Sequence, residues 1–272
     1  MPSKLQSPFT LPEWLEKRRV PDILFAQAYE NCPPKCRAAL KTGFALADFV
    51  FRQQGGMAEK HELVNTRLGF THQSRRKPLL WTALIFDAEN SAPARICAAA
   101  ILPILANVPH IFALAYGARY SPPLLTALEL CGLTDLFLLD YAEILELFNS
   151  SPFSGLKSAR NGKIIIFYDY DTKNEFSKLD SSFQISWLPA NANIKVLEPD
   201  SFDPEILSYT LNLKEFNGAF PLDCVLTDSD KIEDTDAPLV LHPGCEGFWL
   251  YPNLEPANFM KIRNAMYLHA PD

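Results

Sequence analysis

Glycine is scarce in this chain of 272 residues, with 11 glycines against 22 prolines. Its loops are therefore expected to be stiff and punctuated, not linker-like. Positive charge is short as well: 25 Lys and Arg face 32 Asp and Glu, the formal net charge is -7, and no basic cluster exceeds Arg75-Arg76-Lys77. That balance argues against nucleic acid or an anionic membrane as the main partner. The opening residues, Met1-Pro2-Ser3-Lys4-Leu5-Gln6, lack the apolar run of a secretory signal, so a cytoplasmic location is expected by default. Low-complexity tracts are missing, as are repeats beyond a strand-helix alternation. The six cysteines, at 32, 36, 97, 131, 224 and 245, sit in apolar contexts and form neither a disulfide framework nor a standard zinc spacing. Cys97 and Cys131 read as core residues on helices. Cys32-Pro33-Pro34-Lys35-Cys36, the only close pair, reads as a turn into a helix in preference to a metal site with His61 and His72, and no metal is expected.

What is abundant is apolar surface: 48% of residues are hydrophobic and 12% aromatic, enough for a substantial core. It is organised between Leu79 and Tyr170. Leu79 to Phe86 is a continuous apolar run, as expected of a strand buried on both faces. Ser91 can cap a helix that reaches Val108, with Pro93 in its first turn. His110 to Tyr116 is a second strand. Ser121-Pro122-Pro123 predicts an N-cap with proline inside it, and Gly132 stops the helix that follows. Leu136 to Leu139 is a third strand, after which Asp140 and Glu143 form a capping-box pattern for Tyr141 to Phe148. Gly162-Lys163 leads into a fourth strand ending at Tyr168. Single helices between strands imply parallel pairing with right-handed crossovers. The apolar span from Ile96 to Gly117 is long enough to cross a bilayer, but Pro103, Pro109 and its helix-then-strand pattern predict burial in a sheet protein instead.

The flanks are less regular. Leu11 to Lys17, Asp22 to Tyr29 and Lys35 to Gln54 have helical spacing, the last ended by Gly55-Gly56. His61 to Arg76 reads as a connector whose His61, His72, Arg67, Arg75 and Arg76 could receive an anion if it folded over the strand ends. Short strands are expected at Phe183 to Leu188, Ile194 to Leu197, Cys224 to Thr227 and Leu239 to His242. A helix capped by Asp203 is expected to reach Leu211, and a last helix to run from about Pro256 to Leu268. The expected architecture is α/β: a Rossmann-like, mostly parallel sheet with helices on both faces, a helical N-terminal layer (1–78), a strand-helix core (79–175) and a mixed C-terminal segment (176–272).

Ser121-Pro122-Pro123, Leu130-Cys131-Gly132-Leu133-Thr134-Asp135-Leu136-Phe137 and Ala142 resemble the second half of the nucleotide domain of histidinol dehydrogenase, whose fold is related to aldehyde dehydrogenases. Pro93-Ala94-Arg95 through Asn107 is similar to the helix before it. The likeness covers roughly a third of the chain and implies one fold. It also implies where a dinucleotide, NAD(P), would sit, and there the chain departs from the pattern. Asp87-Ala88-Glu89-Asn90 stands in place of a glycine-rich turn, Glu143 in place of a cofactor-contacting glutamine, and Ile166-Phe167-Tyr168-Asp169 in place of a Gly-Pro-Gly-Asn turn. Acids at such positions would repel a pyrophosphate. The family's Glu-His pair has no counterpart, and no histidine lies between His110 and His242 to match its zinc segment.

In an open parallel sheet ligands sit beyond the carboxyl ends of the strands. The candidate cofactor-binding residues there are Asp87, Ser91, Ser121, Asp140, Glu143 and Asp169. Asp169-Tyr170-Asp171-Thr172 has the wrong spacing for a phosphoaspartyl phosphatase and reads as a polar turn. His242-Pro243-Gly244-Cys245-Glu246-Gly247 is the most reactive-looking stretch, in which Cys245 with His242 and Glu246 would be the catalytic set, against the reading of a structural turn. Three functions stay open: a small-molecule-binding or accessory protein of this fold without the family's catalytic groups; an oxidoreductase or acyl-transfer enzyme using NAD(P) or acyl-CoA with Cys245 as nucleophile; and a structural subunit. Expected partners are a small molecule or further copies of the chain.

Overall fold

The computed structural model describes residues 9–52, 60–65, 67, 69–149, 153, 161–179, 182–213, 221–229 and 236–268. Three helices come first: α1 (Glu13–Glu16), α2 (Asp22–Asn31) and α3 (Pro34–Arg52). The expected stop at Gly55-Gly56 lies outside the described residues. The 61–76 segment is not a connector. It forms strands β1 (Lys60–Asn65) and β2 (Phe70–Pro78), an antiparallel pair in which Lys60 faces Arg75 and Asn65 faces Phe70.

Next come β3 (Trp81–Asp87), α4 (Pro93–Leu105), β4 (His110–Tyr116), α5 (Pro122–Cys131), β5 (Leu136–Leu138), α6 (Tyr141–Asn149), β6 (Gly162–Tyr168), α7 (Tyr170–Phe176) and β7 (Gln184–Pro189). Their strands make one parallel sheet in the order β5-β4-β3-β6-β7. The chain thus builds outward from β3 on one side and then returns to its other side. Strands β8 (Ile194–Val196), β9 (Cys224–Leu226) and β10 (Val240–Leu241) form a small second parallel sheet, with α8 (Pro204–Leu211) between the first two. No described helix is long and apolar enough to cross a membrane.

Several helix starts follow the sequence signals. Asp140 accepts from the Glu143 amide at 2.8 Å while Glu143 accepts from the Asp140 amide at 3.0 Å, a complete capping box. Asp203 accepts from the amides of Glu205 and Ile206 at the start of α8. Gly132 ends α5 at φ 70°, the left-handed conformation that glycine adopts without strain. Ser91 does not cap α4: Ala92 holds the N-cap position, and Pro93 within the first turn removes one of the donors a cap would satisfy. Ser121 does occupy the N-cap position of α5, but its hydroxyl makes no capping bond. Asp169 does more than close a strand, since it caps α7 by accepting from the Thr172 amide at 2.8 Å.

The C-terminal expectation is overturned. Only Pro256–Phe259 is helical, as a 3-10 turn closed by Glu255 and Asn258, and Met260–Leu268 is a strand, β11. It lies antiparallel to β2 in continuous register from Met260 opposite Pro78 to Leu268 opposite Phe70. An unpaired edge nine residues long offers a hydrogen-bond ladder that local helical spacing does not outweigh.

Alternation along β3 divides the core in two. Trp81, Ala83 and Ile85 point to the side covered by α1, α6 and α7; Leu84 and Phe86 point to the side covered by α2, α3, α4, α5 and α8. Cys97 and Cys131 lie in the second layer, both buried. In the first, Trp81 is fully buried with Phe112, Phe148, Phe153 and Phe183 around its ring. It fits because its neighbour across the ladder is Gly162: a Cβ there would stand 1.9 Å from the Trp81 ring. Gly162→Ala should therefore destabilise the chain by about 3 kcal/mol in urea unfolding, the upper end for overpacking; a loss below about 1 kcal/mol would show that the ring can move aside.

Candidate functional site

The sheet reverses its strand order at β3 and β6, so the crevice expected to take a ligand lies where these strands end, at Asp87 and Asp169. The loops after β3, β4, β5 and β6 are each closed by a carboxylate of the chain itself. After β3, Asp87 Oδ1 accepts from the amides of Glu89 at 2.7 Å and Asn90 at 3.0 Å. After β4, Glu89 Oε1 accepts from the amides of Ala118 at 3.0 Å and Arg119 at 3.1 Å. After β5 stands the Asp140–Glu143 box, and after β6 the Asp169 cap. Two backbone bonds zip the first two loops together, from Ala88 N to Tyr116 O at 2.8 Å and from Ser121 N to Ala88 O at 3.0 Å.

Behind these loops the space is filled. Tyr116, buried, donates to or accepts from Thr172 Oγ1 at 3.0 Å and packs against Tyr141 and Phe176. Burial pushes the Tyr116 hydroxyl well above the usual phenol range, so it stays neutral. Hydrogen bonding to Thr172, through its side chain and its amide, holds the Asp169 carboxyl below the usual carboxylate range. On the other face Arg95, buried in the first turn of α4, sends its guanidinium to the carbonyls of Pro189 at 2.6 Å and Ala190 at 2.7 Å and stacks over Trp249. Asn212 Nδ2 donates to Asn90 O at 2.9 Å. Among the described residues a hollow of about 70 Å³ lies between Asn90, Ala92, Arg95, Asn191 and Asn212, and another of about 290 Å³ lies between Arg95, Trp187, Pro189, Trp249 and Tyr251. Small-molecule sites generally span roughly 300 to 1,000 Å³.

Of the sequence candidates, Asp87 and Ser91 share one turn, in which the Ser91 amide donates to Asp87 O. Asp140 and Glu143 engage each other, and Asp169 caps α7. Glu89 and Arg95, the groups that close the loops on either side of β3, are missing from the candidate set. Their signal is weak, because an exposed turn glutamate and a helical arginine become telling only when their partners, 29 and 95 residues away, are known.

The 242–247 stretch is a tight turn: the Cys245 amide donates to His242 O at 3.0 Å and the Phe248 amide to Cys245 O at 2.9 Å. It packs backbone to backbone on α3, where a Cβ on Gly247 would lie 2.0 Å from Ala39 O and one on Gly43 1.8 Å from Gly247 O. Thr210 Oγ1 of α8 ties it from another side, donating to Glu246 O at 2.8 Å. Cys245 is half-buried in this seam and Glu246 is buried. Among the described residues no group of three His, Cys, Asp or Glu side chains could hold a metal ion.

Strand order, parallel register and helices on both faces define a Rossmann-like α/β protein. No family model matches the sequence, and no curated protein matches it. Among solved structures the chain is similar to histidinol dehydrogenase from Elizabethkingia anophelis, at 12% identity and a TM-score of 0.61 over 92% of this chain and 76% of that one. An aldehyde dehydrogenase from Brucella melitensis biovar abortus 2308 (13% identity, TM-score 0.39, 76% and 52% covered) superposes more loosely. So does a NAD-dependent benzaldehyde dehydrogenase from Corynebacterium glutamicum (9%, 0.41, 91% and 90%). The first of these bears out the resemblance read at Ser121–Pro123 and Leu130–Phe137 at the level of fold.

Asp169→Ala removes an N-cap and should cost about 1 kcal/mol at pH 7. Because the folded pKa lies below the unfolded one, this contribution is complete above about pH 4 and disappears as pH falls through the lower folded value. Urea unfolding of both chains between pH 7 and 2.5 should show their difference shrinking only at the acid end. A difference that stays constant would remove the carboxylate from the account.

Proposed function

We propose that this chain is an accessory protein with the histidinol dehydrogenase type of fold that binds no dinucleotide at its strand ends and lacks the catalytic groups of such dehydrogenases. The observation that carries this reading is the occupancy of the loop amides by Asp87, Glu89, Asp140, Glu143 and Asp169. A pyrophosphate binds in such folds by taking backbone N–H groups at a helix N-terminus, with glycines allowing its close approach. Here Asp87 and Glu89 take turn amides ahead of α4 and α5, Asp140 and Asp169 take amides in the first turns of α6 and α7, and these carboxylates put negative charge at the strand ends. Pro93 and the buried Arg95 stand in the first turn of α4, where a dinucleotide-binding fold presents free amides. NAD(P) does not fit the residues present, and no hydride transfer is assigned to them.

The same reading makes the 242–247 turn a structural seam. A nucleophilic thiol needs a base that takes its proton and a cavity for its substrate. The packing of Gly247 against α3 gives the turn a reason to exist without either. Cys245→Ser is expected to leave the unfolding temperature within a few degrees, whereas Gly43→Ala should lower unfolding free energy by about 3 kcal/mol through backbone overlap.

Thermal unfolding with NAD+ and NADH tests the central claim. A ligand at 100 times its dissociation constant adds about 2.7 kcal/mol of stability, a shift of several degrees in a chain this size. No shift is expected at about 1 mM of either. A shift of more than about 2 °C with one of them would overturn the absence of a dinucleotide site and call for an oxidoreductase assay.

A further inference from the structure

We propose a second, separate site: a cationic cleft at the amino end of the parallel sheet that binds a small organic molecule carrying two or more terminal phosphate groups. The antiparallel sheet β1-β2-β11 rises beside the strand starts. Its register sets Arg263 directly opposite Arg75, and Lys261 directly opposite Lys77. Residues opposite each other share a face, as do residues two apart along a strand, so all four cations stand on one face. They form a rough rectangle, about 5 Å across the strands and about 7 Å along them.

Like charges in direct cross-strand register destabilise a sheet. Nothing in the described residues relieves this. Arg75, Lys77 and Arg263 have no carboxylate partner there, and the Lys261 ammonium donates to the neutral Asn161 Oδ1 at 2.7 Å. On that face of the described strands the one acid is Glu62, which accepts from Gln73 Nε2 at 3.1 Å. A chain with net charge -7 has acids to spare, yet sets four cations together. Counter-charge from a ligand accounts for the arrangement.

The face is concave. Arg75, Lys77, Lys261 and Arg263 line a cleft of about 730 Å³ whose floor includes Pro78, Leu79, Leu80 and Pro109, at the starts of β3 and β4. That volume is of small-molecule size, and the apolar floor suits an organic body beneath the anionic groups. Two rows of cations call for separated, doubly charged phosphates, whose several acceptor oxygens match guanidinium and ammonium donors. The net negative charge of the whole chain disfavours a long polyanion such as duplex DNA. The site lies at the opposite end of the strands from the carboxylate-closed loops, so its test is independent of the function proposed above.

Calorimetric titration of the full chain with inorganic tripolyphosphate at low ionic strength is the direct experiment. One saturable site per chain is expected, weakening as salt is raised. Arg263→Glu should weaken it at least tenfold and, by giving Arg75 an opposite charge across the ladder, raise the unfolding temperature of the free protein. The double change Lys77→Gln with Lys261→Gln should act in the same direction on binding. Lys178→Ala, at an exposed lysine paired with Glu175 and outside the lining of the cleft, should leave binding unchanged. Absence of binding at 1 mM tripolyphosphate would overturn the proposal, and so would binding that Arg263→Glu leaves intact. Tighter binding to a 20-base-pair DNA duplex, or a dimer without tripolyphosphate affinity that Arg263→Glu dissociates, would reassign the face to nucleic acid or to a second copy.

Discussion

Burial of β3 on both faces is the constraint on which the rest of the structure depends. A backbone with no access to water must find all its hydrogen-bond partners within the protein, and β3 finds them in β4 on one side and β6 on the other. Its side chains must then be covered twice. Helices α4 and α5 arrive on one face and α6 and α7 on the other because each crossover is right-handed and the crossover from β5 to β6 passes back over β4 and β3, reversing the direction in which strands are added. Trp81 makes this demand specific. A ring of that size at the mouth of a parallel ladder leaves room for nothing on its neighbour, which is why the first residue of β6 is glycine.

The same topology creates a crevice at the carboxyl ends of the strands, and the chain fills it with its own acids. Glu89 across the β4 loop and Asp87 in the β3 turn each hold two backbone amides, as a bound anion at such a loop would. Arg95 closes the other side by bonding to carbonyls at the end of β7. These contacts tie the strand-end loops to one another and to α4 through the chain's own side chains. Fold and function separate here, as the fold describes a scaffold and the side chains decide what it accepts.

At the opposite end the electrostatics invert. Strand β11 returns from the C-terminal region to pair with β2 and brings Lys261 and Arg263 against Lys77 and Arg75. The two exposed faces of this sheet differ: one holds Arg75, Lys77, Lys261 and Arg263, while Ile262 and Met266 lie on the other with Arg76 opposite Ile262. A sheet this open contributes little burial to the fold and is retained at an electrostatic cost, which sets it apart from the two core layers.

How far the fold was legible follows from how local its causes are. The strands and helices between Leu79 and Tyr168, the capping box at Asp140 and Glu143, the left-handed Gly132 and the cap at Asp203 all arise from residues within a few positions of one another, and the sequence by itself determined them. Hydrophobic runs, caps and stops are local signals with local physical causes. The strand at Met260–Leu268 was not legible, because its ladder partner lies nearly two hundred residues earlier and helical spacing was the only local cue. Neither were Glu89 and Arg95 as closures of the strand-end crevice, nor the convergence of Arg75, Lys77, Lys261 and Arg263. Only the tertiary structure decided these, since hydrogen-bond partners and charge neighbours across strands depend on register, and register between distant segments is fixed by the packing of the whole chain.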